Sequence, residues 1–442
     1  MNRKRFALLY YGRSMPSAII RPASAVHGII RVPGDKSISH RYAMLAAIAR
    51  GTSRFHNFSA ARDCASTLGC MSQLGAQWKC GDDGVIEVTG LGPILQAPDV
   101  PFDCGNSGST MRMLSGILAG QAFTSELFGD ESLSRRPMGR IIKPLSKMGA
   151  SISSSEAGCP PLKIHGGQLK AIHYNPEVAS AQVKSCVLFA GLFAEGETVV
   201  EEPIRTRDHG ELALRAFGAE VDHYGNIASI RGGQPLRAIE ADVPGDLSSA
   251  AFFLCAAALF PGSHLSLPGI LMNPTRARLL DILIQMGLKI TVGQIEQQHG
   301  ELVGAIEAQG ATWKGGTIAG ADAAALIDEI PILAAIAPYS ENGFEVRDGK
   351  ELRVKESDRI TAVATNLRKM GAEVEERPDG LLIPGQQRLH GAEVDSFGDH
   401  RIAMAFAVAA LRADGETLIH GSDAAGVSYP TFFDDLRFIT SS

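Results

Sequence analysis

With 442 residues, 45% of them apolar, and a net charge of −6, the chain is long enough to bury two or three hydrophobic cores. The acidic balance argues against general nucleic-acid binding but allows a local basic pocket, and no apolar run approaches the ~18 residues that a membrane span requires. Seven cysteines, at 64, 70, 80, 104, 159, 186 and 255, form neither a zinc-ligand spacing nor an even-numbered disulfide framework. Buried, reduced thiols in a cytosolic protein are expected.

The first 15 residues, MNRKRFALLYYGRSM, are basic and acid-free, but the apolar stretch FALLYY is short for a secretory core. They read as an N-terminal extension, or as an upstream start with Met15 as the alternative. HGIIRVPGD then predicts a strand running into a turn. SISHRYAMLAAIARG predicts a helix capped by Ser and closed by Gly51. NSGSTMRMLSGILAG predicts another, behind a Gly/Ser turn suited to an anion. Farther along, DLSSAAFFLCAAALF and GDHRIAMAFAVAALRADG predict helices that are apolar nearly all round and therefore buried. Short β-rich stretches such as GVIEVTG and ETVVEEP lie between helices, so the class is α/β.

One phrase recurs: an amphipathic run, then Leu, Met or Phe, then Gly, then an apolar segment. Its glycines are Gly75, Gly149, Gly218, Gly287 and Gly371, at intervals of about 70 residues with one longer step of about 84. A sixth helix-like stretch, PTFFDDLRFI, ends the series. Fixed-period self-similarity marks an architecture built from copies of one unit, here a helix, a glycine at its C-terminal cap and a strand. VPGDKSIS at Val32 and VPGDLSSA at Val243 repeat at an offset of 211 residues, close to three short periods. Two related halves of three units each are expected, with the chain crossing between them at the VPGD turns.

The informative polar residues stand at the starts of apolar helices, where unpaired N–H groups and a partial positive charge favour anions. These are Lys36–Ser37–Arg41, Asn106–Ser107–Gly108–Ser109–Thr110 with Arg112, Ser180–Ala181–Gln182 with Lys184, and His400–Arg401. Arg135–Arg136–Pro137 and Lys355–Glu356–Ser357–Asp358–Arg359 add cations. Any one of these arginines alone would be read as a surface ion pair. Together, in a net acidic protein, they point to a pocket for a highly anionic small substrate. GDKS resembles the tail of a phosphate-binding loop, but the upstream glycine is not at the required spacing. Asp328–Glu329 interrupt an apolar run, and Glu356 lies between Lys355 and Arg359. Acids so placed suit proton transfer. Helix capping by Asp328 and an i,i+3 ion pair for Glu356 are the structural alternatives.

From PGDKSISHR to VSYPTFF the chain resembles the 5-enolpyruvylshikimate-3-phosphate (EPSP) synthase family, in its class II bacterial form. GNSGSTMR, RRPMGR, SAQVKS, TRDH, PGDLSSAAFFL, DEIP, RVKESDR and GDHRIAMA follow in the family's order. The resemblance implies two inverse α/β half-barrel domains, each of three βαβαββ repeats, with the active site in the cleft between them. The domains are expected at 34–243 and at 16–33 plus 244–442, after an extension at 1–15. The implied reaction transfers the enolpyruvyl group of phosphoenolpyruvate to the 5-hydroxyl of shikimate 3-phosphate and releases phosphate, without metal or organic cofactor.

By the same resemblance Lys36 touches both substrates. Ser37, Arg41, Ser180, Ala181, Gln182, Arg207, Asp328 and Lys355 bind shikimate 3-phosphate. Asn106, Gly108, Arg136, Gln182, Arg359 and Arg401 frame phosphoenolpyruvate. Asp328 takes the hydroxyl proton, and Glu356 handles the proton at the methylene carbon. Glyphosate, the family's inhibitor, occupies the phosphoenolpyruvate site beside Gly108. Class I members carry a further Lys before the final Pro, whereas AGVSYP here has none. The expected enzyme is a cytoplasmic monomer with no nucleic-acid or membrane partner. Transfer of enolpyruvyl to UDP-N-acetylglucosamine, or non-catalytic anion binding on the same fold, are the alternative readings.

Overall fold

The computed structural model describes residues 17–440, and the extension expected at 1–15 lies outside them. The chain groups into two compact units. The Lys36 unit holds Gly34–Val243 together with Gln297–Glu301. The Asp328 unit holds the described residues up to Pro33, then Pro244–Glu296, and those from Leu302 onward. Two boundaries fall inside the VPGD turns. At the first, a Cβ on Gly34 would sit 1.9 Å from the Asn57 carbonyl oxygen, so only glycine fits there. Within the stretch 244–442, expected as one piece of a single domain, residues 297–301 group with the other unit.

Both units repeat one motif. In the clearest copy, strand Phe102–Asp103 is followed by helix Gly108–Ala119, strand Thr124–Phe128, helix Gly139–Met148 and the strands Ser151–Ser153 and Leu162–His165. The first two strands pair in parallel, as a helical crossover requires. The last two pair antiparallel, with Leu162–His165 seated next to Thr124–Phe128. Five four-stranded sheets have this order, and a sixth sheet has three strands. Among the described residues the chain thus holds five βαβαββ copies and a sixth that is one strand short, three per unit. Strands distant in sequence complete three of the sheets: Glu240–Asp242 pairs with Arg50–His56, His27–Ile29 with His264–Leu271, and Ser17–Ile20 with Thr417–His420.

The five phrase glycines each follow a helix and precede a strand, at φ of +96°, +113°, +94°, +110° and +87° in chain order. This is the left-handed region, where a Cβ is disfavoured, and it is what ends each outer helix. The inner helices are different. Lys36–Ile48, Gly108–Ala119 and Ala181–Gly191 in one unit, and Leu247–Ala258, Ile330–Ile336 and His400–Ala410 in the other, are buried around most of their circumference. Small residues let them approach closely: a Cβ on Gly116 would lie 2.1 Å from the Cys186 carbonyl oxygen. In the Asp328 unit, Phe252, Phe253, Tyr429 and Phe432 stack with ring centroids 5.6–5.8 Å apart and pin the last helix, Phe432–Thr440.

Three local expectations are corrected. The first helix is capped by Asp35, whose side chain accepts from Ile38 N, and not by Ser. It ends at Ile48, because Ala49 turns to extended backbone and Gly51 lies within strand Arg50–His56. All seven cysteines are free, but Cys80 and Cys159 are only half-buried.

Candidate active site

In the Lys36 unit the three inner helices bring their N-termini together. Asp35, Ser107 and Ser180 each cap one of them with a side-chain oxygen. That leaves the next residues half-buried at the helix ends, with their backbone N–H groups unused by the helix. Cross-helix bonds tie the ends together. Arg112 Nη1 donates to Gln182 Oε1 at 2.8 Å, and Gln182 Nε2 to Ser109 Oγ at 2.9 Å. Buried Arg41 donates to the Ser37 carbonyl at 2.8 Å and the Ala181 carbonyl at 3.4 Å, and reaches Ser185 Oγ through Nε and Nη2 at 3.2 and 2.9 Å. Burial lowers its pKa to about 10, which leaves it a cation at neutral pH. Lys36 Nζ lies 3.0 Å from Asp63 Oδ2. Asn106 accepts from Arg136 Nη2 at 3.0 Å and donates to Asp130 at 2.6 Å.

Gly108 faces two guanidiniums. A Cβ there would be 2.9 Å from Arg112 Nη1 and 3.5 Å from Arg136 Nη1. Of the expected residues of this unit, Lys36, Ser37, Arg41, Asn106, Gly108, Arg136, Ser180, Ala181 and Gln182 all stand at or against these helix ends. Arg207 stands on the turn before helix His209–Ala216 and contributes a like charge felt by Arg41. Lys184 is a correction. It points into the protein, with its ammonium 2.8 Å from both Glu202 and Glu211 and all three side chains at most 2% exposed. One helical turn past Ser180, its side chain falls on the packed face, so it serves the core and not an anion pocket.

The Asp328 unit gathers the remaining residues around one guanidinium. Arg359, 1% exposed, lies 2.8 Å from Asp399, 2.6 Å from Glu356 and 3.4 Å from Asp328. Burial alone would lower its pKa, but Asp399, Glu356 and Asp328 outweigh burial and raise it. In return, and against burial, Arg359 keeps the Asp399 carboxyl below the ordinary carboxylate range. Asp328 is ringed by cations: Lys355 at 3.7 Å, Arg359 at 3.4 Å and Arg401 at 3.9 Å. Arg401 also donates to the Asp328 carbonyl at 2.6 Å. Asp328 caps no helix, since the capping position before Ile330–Ile336 belongs to Glu329. The i,i+3 ion pair of Glu356 does form, with Arg359. Lys355 turns instead toward Asp328.

Two residues that matter here, Asp63 and Asp399, are not singled out by the sequence, and the partner of a third, Arg112, is not legible in it. Asp63, Arg112 and Asp399 hold Lys36, Gln182 and Arg359 respectively. Only Arg112 and Asp399 lie inside motifs, and none can be assigned a partner without tertiary contacts. Among the described residues no group of three or more His, Cys, Asp or Glu side chains is arranged to hold a metal ion, and no helix is long and apolar enough to cross a membrane.

The family model described as EPSP synthase (3-phosphoshikimate 1-carboxyvinyltransferase) matches residues 20–436. The chain belongs to the EPSP synthase family. The 3-phosphoshikimate 1-carboxyvinyltransferase of Koribacter versatilis (strain Ellin345) is 62% identical over 96% of this chain and 99% of its own length. That of Solibacter usitatus (strain Ellin6076) is 56% identical over 95% and 99%. The solved EPSP synthase of Acinetobacter baumannii superposes with a TM-score of 0.86 at 42% identity, covering 96% of this chain and 98% of that one. As an EPSP synthase family member, the chain is a carboxyvinyl-transferring enzyme.

Proposed function

We propose that the two polar clusters carry the transfer of enolpyruvyl from phosphoenolpyruvate to the 5-hydroxyl of shikimate 3-phosphate. The observation that carries this reading is the Asp328 cluster: two carboxylates, Asp328 and Glu356, share the buried guanidinium of Arg359. Two proton-transfer groups held in one rigid network are what an addition–elimination reaction needs. Asp328 takes the proton as the hydroxyl oxygen bonds to C2 of phosphoenolpyruvate, while C3 gains a proton to give a tetrahedral ketal. Loss of a proton from that methyl group and departure of phosphate re-form the double bond, with Glu356 serving the carbon. Lys36, Ser37, Arg41, Ser180, Ala181, Gln182, Arg207 and Lys355 hold the acceptor. Lys36, Asn106, Gly108, Gln182, Arg136, Arg359 and Arg401 hold the donor's phosphate and carboxylate, and the cations stabilise charge as it builds.

The names of the relatives support this acceptor and give no support to a sugar nucleotide or to a non-catalytic role. Phosphate release from phosphoenolpyruvate tests the choice: shikimate 3-phosphate should sustain it and UDP-N-acetylglucosamine should not. Turnover with the sugar nucleotide alone would overturn the reading. The proposal includes a cytoplasmic monomer, and elution from gel filtration at twice the single-chain mass would remove the second part.

Lys36→Met should raise the Michaelis constants of both substrates and lower turnover, because one ammonium is assigned to both anions. Charge-assisted bonds are worth about 1.5–3 kcal/mol, or roughly ten- to a hundredfold. A rise for one substrate only, with turnover intact, would end the shared assignment. Gly108→Ala places a methyl 2.9 Å from Arg112 Nη1, so that guanidinium must shift. Glyphosate, longer than phosphoenolpyruvate, should lose more affinity, about tenfold by the usual penalty for over-filling a packed site. The check is the ratio of the glyphosate inhibition constant to the phosphoenolpyruvate Michaelis constant. If the ratio does not rise, Gly108 does not border the inhibitor.

A further inference from the structure

Residues 297–301 are the tip of a hairpin formed by strands Lys289–Gln298 and Glu301–Gln309, and they group with the Lys36 unit although most of the hairpin does not. The last of them, Glu301, buries its carboxylate against the equally buried His209, with Oε1 2.6 Å from Nδ1. Neither residue has a part in the chemistry above. A carboxylate taken out of water must find compensation, and its location shows what this one organises.

His209 opens helix His209–Ala216 and directly follows Arg207 and Asp208. The next residue, Gly210, packs against the Arg41–Ser185 pair: a Cβ there would be 2.6 Å from Ser185 Oγ and 3.6 Å from Arg41 Nε. The same turn is held on its other side by Glu202, which accepts from Thr206 N at 3.1 Å and Thr206 Oγ1 at 2.5 Å, and by the Arg205–Asp208 pair at 2.7 Å. Arg207 repels the Arg41 guanidinium, while Glu211 above all, then Asp35 and least Glu301, offset that repulsion. Two cations assigned to one phosphorylated acceptor are thus brought together by a turn whose helix-side anchor is the His209–Glu301 hydrogen bond.

We propose that Glu301 is a positioning residue for the acceptor: by fixing His209 it sets the turn that presents Arg207 beside Arg41 to shikimate 3-phosphate. The proposal rests on the reading of Arg41 and Arg207 as acceptor ligands. It requires that loss of Glu301 act on one substrate and not on the other.

The experiment compares Glu301→Ala, Glu301→Asp and Arg207→Ala in the full-length enzyme, measuring the Michaelis constants of both substrates. Glu301→Ala should raise the constant for shikimate 3-phosphate about tenfold, the usual scale for losing a group that orients a ligand-binding side chain. The constant for phosphoenolpyruvate should stay within twofold. Glu301→Asp keeps the charge but draws the carboxylate back by one methylene, and should give a smaller rise for the same substrate. This variant keeps the test open if the Ala protein does not fold. In an Arg207→Ala background the Glu301 substitution should add little, since the residue it positions is gone. Equal rises for both substrates, or a shikimate 3-phosphate constant within twofold of the parent in both Glu301 variants, would overturn the proposal. If Arg207→Ala itself leaves that constant unchanged, the acceptor assignment falls and the Glu301 proposal with it. If Arg207→Ala raises it and the Glu301 variants do not, only the proposal falls.

Discussion

Replacing Asp328 by Asn should lower turnover by about 10²–10⁴-fold, the range typical for loss of a general base. Asn has nearly the same shape, so the change removes charge and proton affinity with little loss of packing. The surroundings are over-supplied with cations, because Lys355, Arg359 and Arg401 all lie within 4 Å of the Asp328 carboxylate. Arg359 would keep Asp399 and Glu356 as partners and should stay in place. Removing a negative charge from such a setting cannot weaken the binding of anions through electrostatics. Affinity for shikimate 3-phosphate should therefore hold, or rise slightly, while the chemical step collapses. Steady-state turnover and direct titration of the acceptor separate the two effects. A turnover number within threefold of the parent would remove Asp328 from the proton-transfer role.

Asp399→Ala should act first on stability. The side chain is fully buried and does three jobs: it pairs with Arg359 Nε at 2.8 Å, accepts from Ser357 Oγ at 3.1 Å, and caps helix His400–Ala410 through Arg401 N at 2.8 Å. Breaking a buried pair by removing one partner typically costs about 3–5 kcal/mol, because the other charge is left uncompensated. Here Glu356 and Asp328 still face Arg359, so the lower end of that range applies. Loss of a helix cap adds about 1 kcal/mol. Urea unfolding should show a markedly lower midpoint, and the Michaelis constant for phosphoenolpyruvate should rise, since Arg359 loses an anchor and the helix that carries Arg401 loses its cap. Asp399→Asn retains an acceptor for the cap and should be intermediate. A midpoint unchanged in the Ala variant would refute this account of the cluster. The pH dependence has a definite sign. The folded-state pKa of Asp399 is depressed, so its contribution is complete above the unfolded value of about 3.9 and is lost only as pH falls through the lower folded value.

Much of this architecture is local and therefore legible along the chain. A helix that must stop before a strand needs a residue tolerant of positive φ, so Gly75, Gly149, Gly218, Gly287 and Gly371 mark the repeat without reference to anything distant. Helices apolar on every face must be interior, and their polar starts must then be the exposed, anion-attracting ends. The structure does put Lys36, Asn106, Gln182 and Arg401 at helix starts, half-buried. Lys184 does not follow, because a spacing of one turn from a helix start does not say which face is packed. Only the tertiary structure pairs Asp399 with Arg359 across 40 positions, Lys36 with Asp63 across 27, and His209 with Glu301 across 92. It also moves Gln297–Glu301 into the unit that the surrounding sequence leaves. Periodicity and capping are properties of neighbouring residues. The partners of a buried charge are decided by which distant segments exclude water around it, and no local pattern encodes that choice.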